Sequence, residues 1–179
     1  MERILSKTWL HILLIAALTF AVFFPSVHCA LTNWDTPDLL TDNTLIRSLS
    51  AENLKNIFFH FYWFNYQPLT LFSFAIEYHF FGLDSSVIHF DNIVLHVLNA
   101  LLVYWFFRVL TSNWRVAFAG ALLWAIHPLR VESVTWVVER KDVLYSFFFL
   151  TSLIQYVHYL KTRSNLHYMA ALSLFILSC

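Results

Sequence analysis

From about Val87 to Leu110 the chain runs through 24 residues that are nearly all apolar, with Asp91 and Arg108 as the only formal charges. A helix needs roughly 20 such residues to cross a bilayer. Comparable apolar runs recur at about 8–28, 116–128, 143–160 and 166–179. The pattern predicts an all-α fold, a polytopic transmembrane helical bundle of about five spans joined by polar loops. Composition agrees: 12% of residues are charged, against roughly a quarter in a soluble domain, so half of the usual solvating surface is missing. Mean hydropathy is +0.63. The spans use up most of the 179 residues. The chain therefore reads as a single transmembrane domain over 1–179, with outer loops at about 29–86 and 127–142.

Three runs depart from the simple pattern. Val116 to Ile126 is eleven residues long before His127-Pro128. It is either a short, little-tilted helix or one that continues past Pro128 with a kink. The last run stops at Cys179 in mid-span, which predicts a piece of something longer. Leu69 to Phe81 is apolar but carries Glu77 and His79, and its length suits the membrane interface better than a crossing. At the N-terminus, Arg3 and Lys7 precede the first run like the basic end of a signal peptide. His28 occupies the −3 position of a cut after Ala30, where a small residue is needed, so a retained signal anchor is expected.

Basic residues set an orientation. Arg3 and Lys7, Arg108 and Arg115, and Lys161 and Arg163 all fall on one side if the N-terminus is cytoplasmic. The stretch after the first span and the stretch His127–Asp142 then both lie outside. Arg130, Arg140 and Lys141 in the second stretch run against the charge rule, so function is one reason for their presence. Several classes are excluded. There is no basic block for nucleic acid. Cys29 and Cys179 make neither a disulfide framework nor a zinc site. No glycine-rich phosphate loop or nucleophile elbow is visible.

Three constellations remain. Asn33-Trp34-Asp35-Thr36-Pro37-Asp38 follows the first span. It is a turn with a helix cap, or a site where Asp35 serves as a general base. His127-Pro128-Leu129-Arg130-Val131-Glu132 leads into Glu139-Arg140-Lys141-Asp142. As one helix, Val131–Asp142 is amphipathic, with Glu132, Trp136, Glu139 and Arg140 on one face and Asp142 as N-cap of the fourth span. That helix either lies solvated on the membrane surface or uses Arg140 or Lys141 to hold a phosphate while Glu132 or Asp142 orients the site. Third, His89, Asn92, His96 and Asn99 form a stripe at i, i+3, i+7 and i+10, which points into a bundle to find hydrogen-bond partners. His89 and His96 lie about 10.5 Å apart along a helix at 1.5 Å per residue, too far to share one metal ion.

The run from His127 to Leu144 resembles the signature of membrane proteins that carry C-terminal tetratricopeptide repeats, the bacterial relatives of the transmembrane and tetratricopeptide-repeat O-mannosyltransferases. Asn33-Trp34-Asp35, Tyr66-Gln67-Pro68-Leu69-Thr70, Phe81-Gly82-Leu83 and the His89–Asn99 stripe match the same pattern in the same order. The resemblance covers about Asn33 to Tyr159. It implies an incomplete C-type glycosyltransferase fold, without the repeats, that moves a sugar such as mannose from a polyprenyl-phosphate donor to a protein or glycan hydroxyl. Asp35 maps onto the family's catalytic acid. His127, Glu132, Arg140, Lys141 and Asp142 would hold the donor phosphate or orient the site. The implied partners are the bilayer, the lipid-linked sugar and the acceptor; a divalent cation is the cofactor left open. The implied location is a bacterial inner membrane with a cytoplasmic N-terminus. The family usually has a second acid where this chain has Thr36, and Arg or His where it has Gln67. Those departures, with the absent later spans, keep a second reading in play: a non-catalytic membrane assembly partner or a remnant of such an enzyme. A transporter subunit ranks below both.

Overall fold

The computed structural model describes the backbone of residues 2–179 and the side chains from Thr8 onward. Arg3 and Lys7, on which part of the orientation argument leans, thus have side chains outside the described residues. The protein is all-α. Helix α1 (Glu2–Phe23) runs into a 3-10 turn, Phe24–His28, started by Pro25. The stretch that follows is largely structured. It holds short turns at Pro37–Thr41 and Leu45–Arg47, then α2 (Ala51–Phe59) and α3 (Pro68–Phe81). The Ser50 side chain caps α2 by accepting from Asn53 N, which satisfies one of the amides a helix start leaves unbonded. Pro68 opens α3, and Gly82 ends it with φ +68°, a conformation only glycine adopts without strain.

Asp84 caps α4 (Ser85–Thr111), accepting from Ser86 N at 2.8 Å and Val87 N at 3.3 Å. After a left-handed Ser112, Asn113 caps α5 (Trp114–Ala125), so the two helices reverse direction in two residues. Helix α5 does not continue past Pro128. A turn at His127–Leu129 leads into α6 (Arg130–Thr135), and a 3-10 turn at Val137–Glu139 precedes α7 (Arg140–Thr162). Left-handed Arg163 and then Ser164 set up the return along α8 (Asn165–Leu177).

Three segments are long and apolar enough to cross a membrane: Thr8–His28, Ser85–Thr111 and Val137–Thr162; α5 and α8 are apolar but shorter. The chain is an integral membrane helical protein. Helix α4 is its axis, packed against α1, α5 and α7, with α8 laid on α7. Close approach of α4 and α5 rests on small side chains. Ala117, Ala121 and Ala125 are spaced by one turn and fully buried against Ala100, Val103 and Tyr104, and Gly120 lies against the Phe107 ring. Between helices in lipid, such packing replaces the hydrophobic drive that water would supply. Ser85 Oγ donates to Cys29 O at one end of the bundle, and Lys161 Nζ reaches Val109 O at the other. The 29–84 segment and the 127–139 segment therefore cap the Cys29 end together. They share a core of Leu39, Leu40, Ile46, Leu71, Phe74 and Val137–Val138.

Candidate functional site

The polar stripe along α4 organises this end. His89, Asn92, His96 and Asn99 are all buried, at 2% exposure or less. Asn92 Nδ2 donates to Val134 O and Val137 O, His96 Nε2 pairs with Ala125 O at 2.8 Å, and Asn99 Nδ2 donates to Val143 O at 2.8 Å. Each of these carbonyls lies where a helix ends or begins; at the helix ends, backbone acceptors lack an intrahelical partner. The stripe thus pins the 126–139 connection, with α6 and the 3-10 turn, onto α4. His89 differs: neither ring nitrogen has a hydrogen-bond partner among the described residues.

The connection is not one helix. Trp136 has an extended ψ of 103°, which ends α6 and rotates everything after it. Glu132 and Glu139 therefore do not share a helical face as the single-helix reading of Val131–Asp142 expects. Asp142 is not an N-cap either. It lies in the first turn of α7, and its Oδ2 accepts from Ser133 Oγ at 2.8 Å, tying α6 to α7. The break has a physical reason. Straight continuation would carry Arg140 past the buried Asn92, whereas the turn delivers it there.

Arg140 is 1% exposed, and every nitrogen of its guanidinium has a partner. Nη1 faces Glu77 Oε2 at 2.5 Å, Nε donates to Asn92 Oδ1 at 2.7 Å, Nη2 donates to Ile88 O at 2.9 Å, and Nη1 also reaches Ser73 Oγ at 3.4 Å. The cation stacks over the Phe74 ring. These contacts take up four of the five guanidinium N–H groups, so most of the group is spent on holding α3, α4 and α7 together. Glu77, which is buried on α3, was visible in the sequence as an acid inside an apolar run. Such a charge requires a partner, but spacing along the chain does not say which. Burial drives its carboxyl up to about 8, with Arg140 opposing and the neighbouring Asp91 reinforcing the rise.

The other expected residues are placed as follows. His127 is exposed, and its Nδ1 accepts from Leu129 N. Glu132 is exposed on α6. Lys141 is exposed and pairs with Glu139 at 3.1 Å, an ion pair of little energetic weight. Asp35 is half-buried, and its carboxylate makes no hydrogen bond or ion pair among the described residues. Next to it, Thr36 is buried, with Oγ1 3.2 Å from Thr32 Oγ1. Thr32, Asn33 and Trp34 line an open apolar cleft together with Trp136. The loop before Asp35 and the 127–142 segment therefore border one cleft.

A second, polar recess of about 250 Å³ lies deeper, lined by His96, Asn99, Trp124, Arg130, Ser133, Asp142 and the start of α7. Arg130 stacks on Trp124, 4.7 Å from the ring centroid, and its side chain makes no hydrogen bond or ion pair among the described residues. In the sequence Arg130 registers only as a charge on the wrong side of the membrane. Among the described residues, no group of three His, Cys, Asp or Glu side chains converges to hold a metal ion.

This is a polar recess lined by α4, α5, α6 and the start of α7 of a membrane helical bundle. Among characterised proteins, the chain is similar to protein O-mannosyl-transferases. It is 34% identical to TMTC2 of Homo sapiens over 99 residues, which is 55% of this chain and 12% of that protein. It is 36% identical to TMTC1 of Mus musculus over 93 residues, 51% of this chain and 10% of that protein. It is 29% identical to TMTC3 of Mus musculus over 153 residues, 80% of this chain and 16% of that protein. The chain thus spans between a tenth and a sixth of these relatives' length. No protein-family model and no solved structure matches it.

Proposed function

We propose that this chain is a membrane part of a glycosyltransferase that moves a sugar, mannose by analogy with its relatives' names, from a polyprenyl-phosphate carrier to a protein hydroxyl. The observation that carries the reading is the shared cleft. Asn33-Trp34 and Trp136 line one opening, so the loop that carries Asp35 and the segment that carries the cations each contribute a side chain to it. In the transfer, Asp35 takes the proton of the acceptor hydroxyl as its oxygen attacks the anomeric carbon. The bond from that carbon to the phosphate oxygen breaks, and the lipid phosphate leaves as an anion. Lys141 and His127, both exposed, neutralise it, while Arg140 and Glu77 hold the loop in place. Trp34 and Trp136 suit the polyprenyl chain entering from the bilayer. The basic ends at Arg108–Arg115 and Lys161–Arg163 support a cytoplasmic N-terminus, which in a bacterium places the cleft at the outer face of the inner membrane.

The test is transfer and binding in lipid nanodiscs with polyprenyl-phosphate mannose and a serine/threonine peptide. Asp35→Asn should keep donor binding and lose transfer by roughly 10²-fold or more; Lys141→Ala should weaken binding. Full transfer by Asp35→Asn removes the assigned base. Thr36 favours a second reading. The position after Asp35 is a buried hydroxyl bonded to Thr32 rather than a second acid, as suits a non-catalytic assembly partner. A wild-type chain that neither binds the donor nor transfers its sugar selects that reading.

A further inference from the structure

We infer that the recess around Asn99 is the seat of the donor's sugar ring; the inference deepens the glycosyltransfer reading and rests on it for the identity of the ring. Asn99 lies 14 residues along α4 from Ser85, roughly 21 Å at 1.5 Å per residue, near the middle of a membrane-long helix. It is 0% exposed, and its Nδ2 bond to Val143 O fixes which way the amide faces. Asn99 is one of the residues lining the recess, and its Oδ1 has no hydrogen-bond partner among the described residues. A buried acceptor left unmet at this depth is destabilising unless a ligand or a water supplies a donor.

The rest of the lining says what kind of ligand. Asp142 spends Oδ2 on Ser133 and keeps Oδ1, a second acceptor. Arg130, held on the Trp124 ring with unspent N–H groups, supplies donors. Ser146 and Tyr145 add hydroxyls. Acceptors and donors therefore share one small space. A bare phosphate only accepts; it would satisfy Arg130, leave Asn99 unmet and face Asp142. A lipid chain offers neither donors nor acceptors. The hydroxyls of a sugar each donate and accept, so one ring can meet every group. Volume agrees: about 250 Å³ lies below the roughly 300–1,000 Å³ of pockets for drug-sized ligands, which suits a single ring.

The experiment measures binding of polyprenyl-phosphate mannose and of bare polyprenyl phosphate to the full chain in nanodiscs. Wild type should prefer the mannosylated lipid by about tenfold, the yield of one or two buried hydrogen bonds. Arg130→Gln and Asp142→Asn should each erase most of that preference and leave the bare lipid's affinity unchanged. Both variants spare the Asn99 anchor, and the amide oxygen introduced by Asp142→Asn can still accept from Ser133. Equal wild-type affinity for the two lipids overturns the sugar seat while leaving the transfer reading intact. Arg130→Gln weakening both lipids alike also overturns it, because the recess then holds the phosphate. If wild type binds neither lipid, the transfer reading falls and takes this inference with it.

Discussion

Replacing Arg140 with methionine tests the node that holds the Cys29 end together. The guanidinium meets Glu77, Asn92, Ser73 and the Ile88 carbonyl at 2.5–3.4 Å with 1% exposure. Methionine refills the stem's volume but none of these contacts, and it strands Glu77 beside Asp91. Breaking a buried pair from one side costs about 3–5 kcal/mol. At roughly 2–4 °C per kcal/mol for a chain of this size, Arg140→Met should lower the melting temperature in detergent by about 6–20 °C. Glu77→Gln keeps an oxygen for Nη1 and should cost about 1 kcal/mol. The double variant Glu77→Leu with Arg140→Met removes both charges, and a buried pair exchanged for apolar residues is often neutral. It should therefore recover about 2 kcal/mol or more over the sum of Arg140→Met and Glu77→Leu made singly. Thermal unfolding followed by intrinsic fluorescence, with all variants in one detergent at a pH above about 8, where Glu77 is ionised, provides the cycle. An Arg140→Met protein within about 1 kcal/mol of wild type, or a double variant that merely adds its parts, refutes the account of Arg140 as a committed structural cation.

The same node gives a pH dependence. Because Glu77's carboxyl is raised from 4.5 to about 8, the folded state holds a proton between those values that the unfolded chain has released. Its contribution to stability is full below about pH 4.5 and lost as pH rises through about 8; Glu77→Gln should flatten that slope in melting curves across the range. Gly120→Ala drives a Cβ to 2.9 Å from the Phe107 ring, and should cost about 1–3 kcal/mol by crowding the α4–α5 contact. His96→Phe keeps the ring stack on Trp124 and loses the bond to Ala125 O, so it should cost about 1–3 kcal/mol for the unmet carbonyl, read by the same assay. Asp35→Asn should leave the melting temperature unchanged, since its carboxylate has no partner to lose among the described residues.

How much of this was legible beforehand follows the range of the forces involved. Hydropathy and helical periodicity are local, so the sequence alone determined an all-α membrane chain and one polar face at His89, Asn92, His96 and Asn99. Cap chemistry is local too, and Asp84, Asn113 and Ser50 stand at their helix starts. Tertiary structure decided which distant group meets which. Glu77 and Arg140 are 63 positions apart and belong to different helices, and spacing cannot choose between Arg140, Arg130 and Lys141 as the partner of a buried acid. The helical wheel drawn through Val131–Asp142 failed for the same reason. A favourable amphipathic periodicity lost to the stronger demand that Asn92 and Arg140 bury their polar groups against each other, and Trp136 turned the chain to permit it. That turn left Arg130 unspent beside Asn99, a juxtaposition no local pattern encodes.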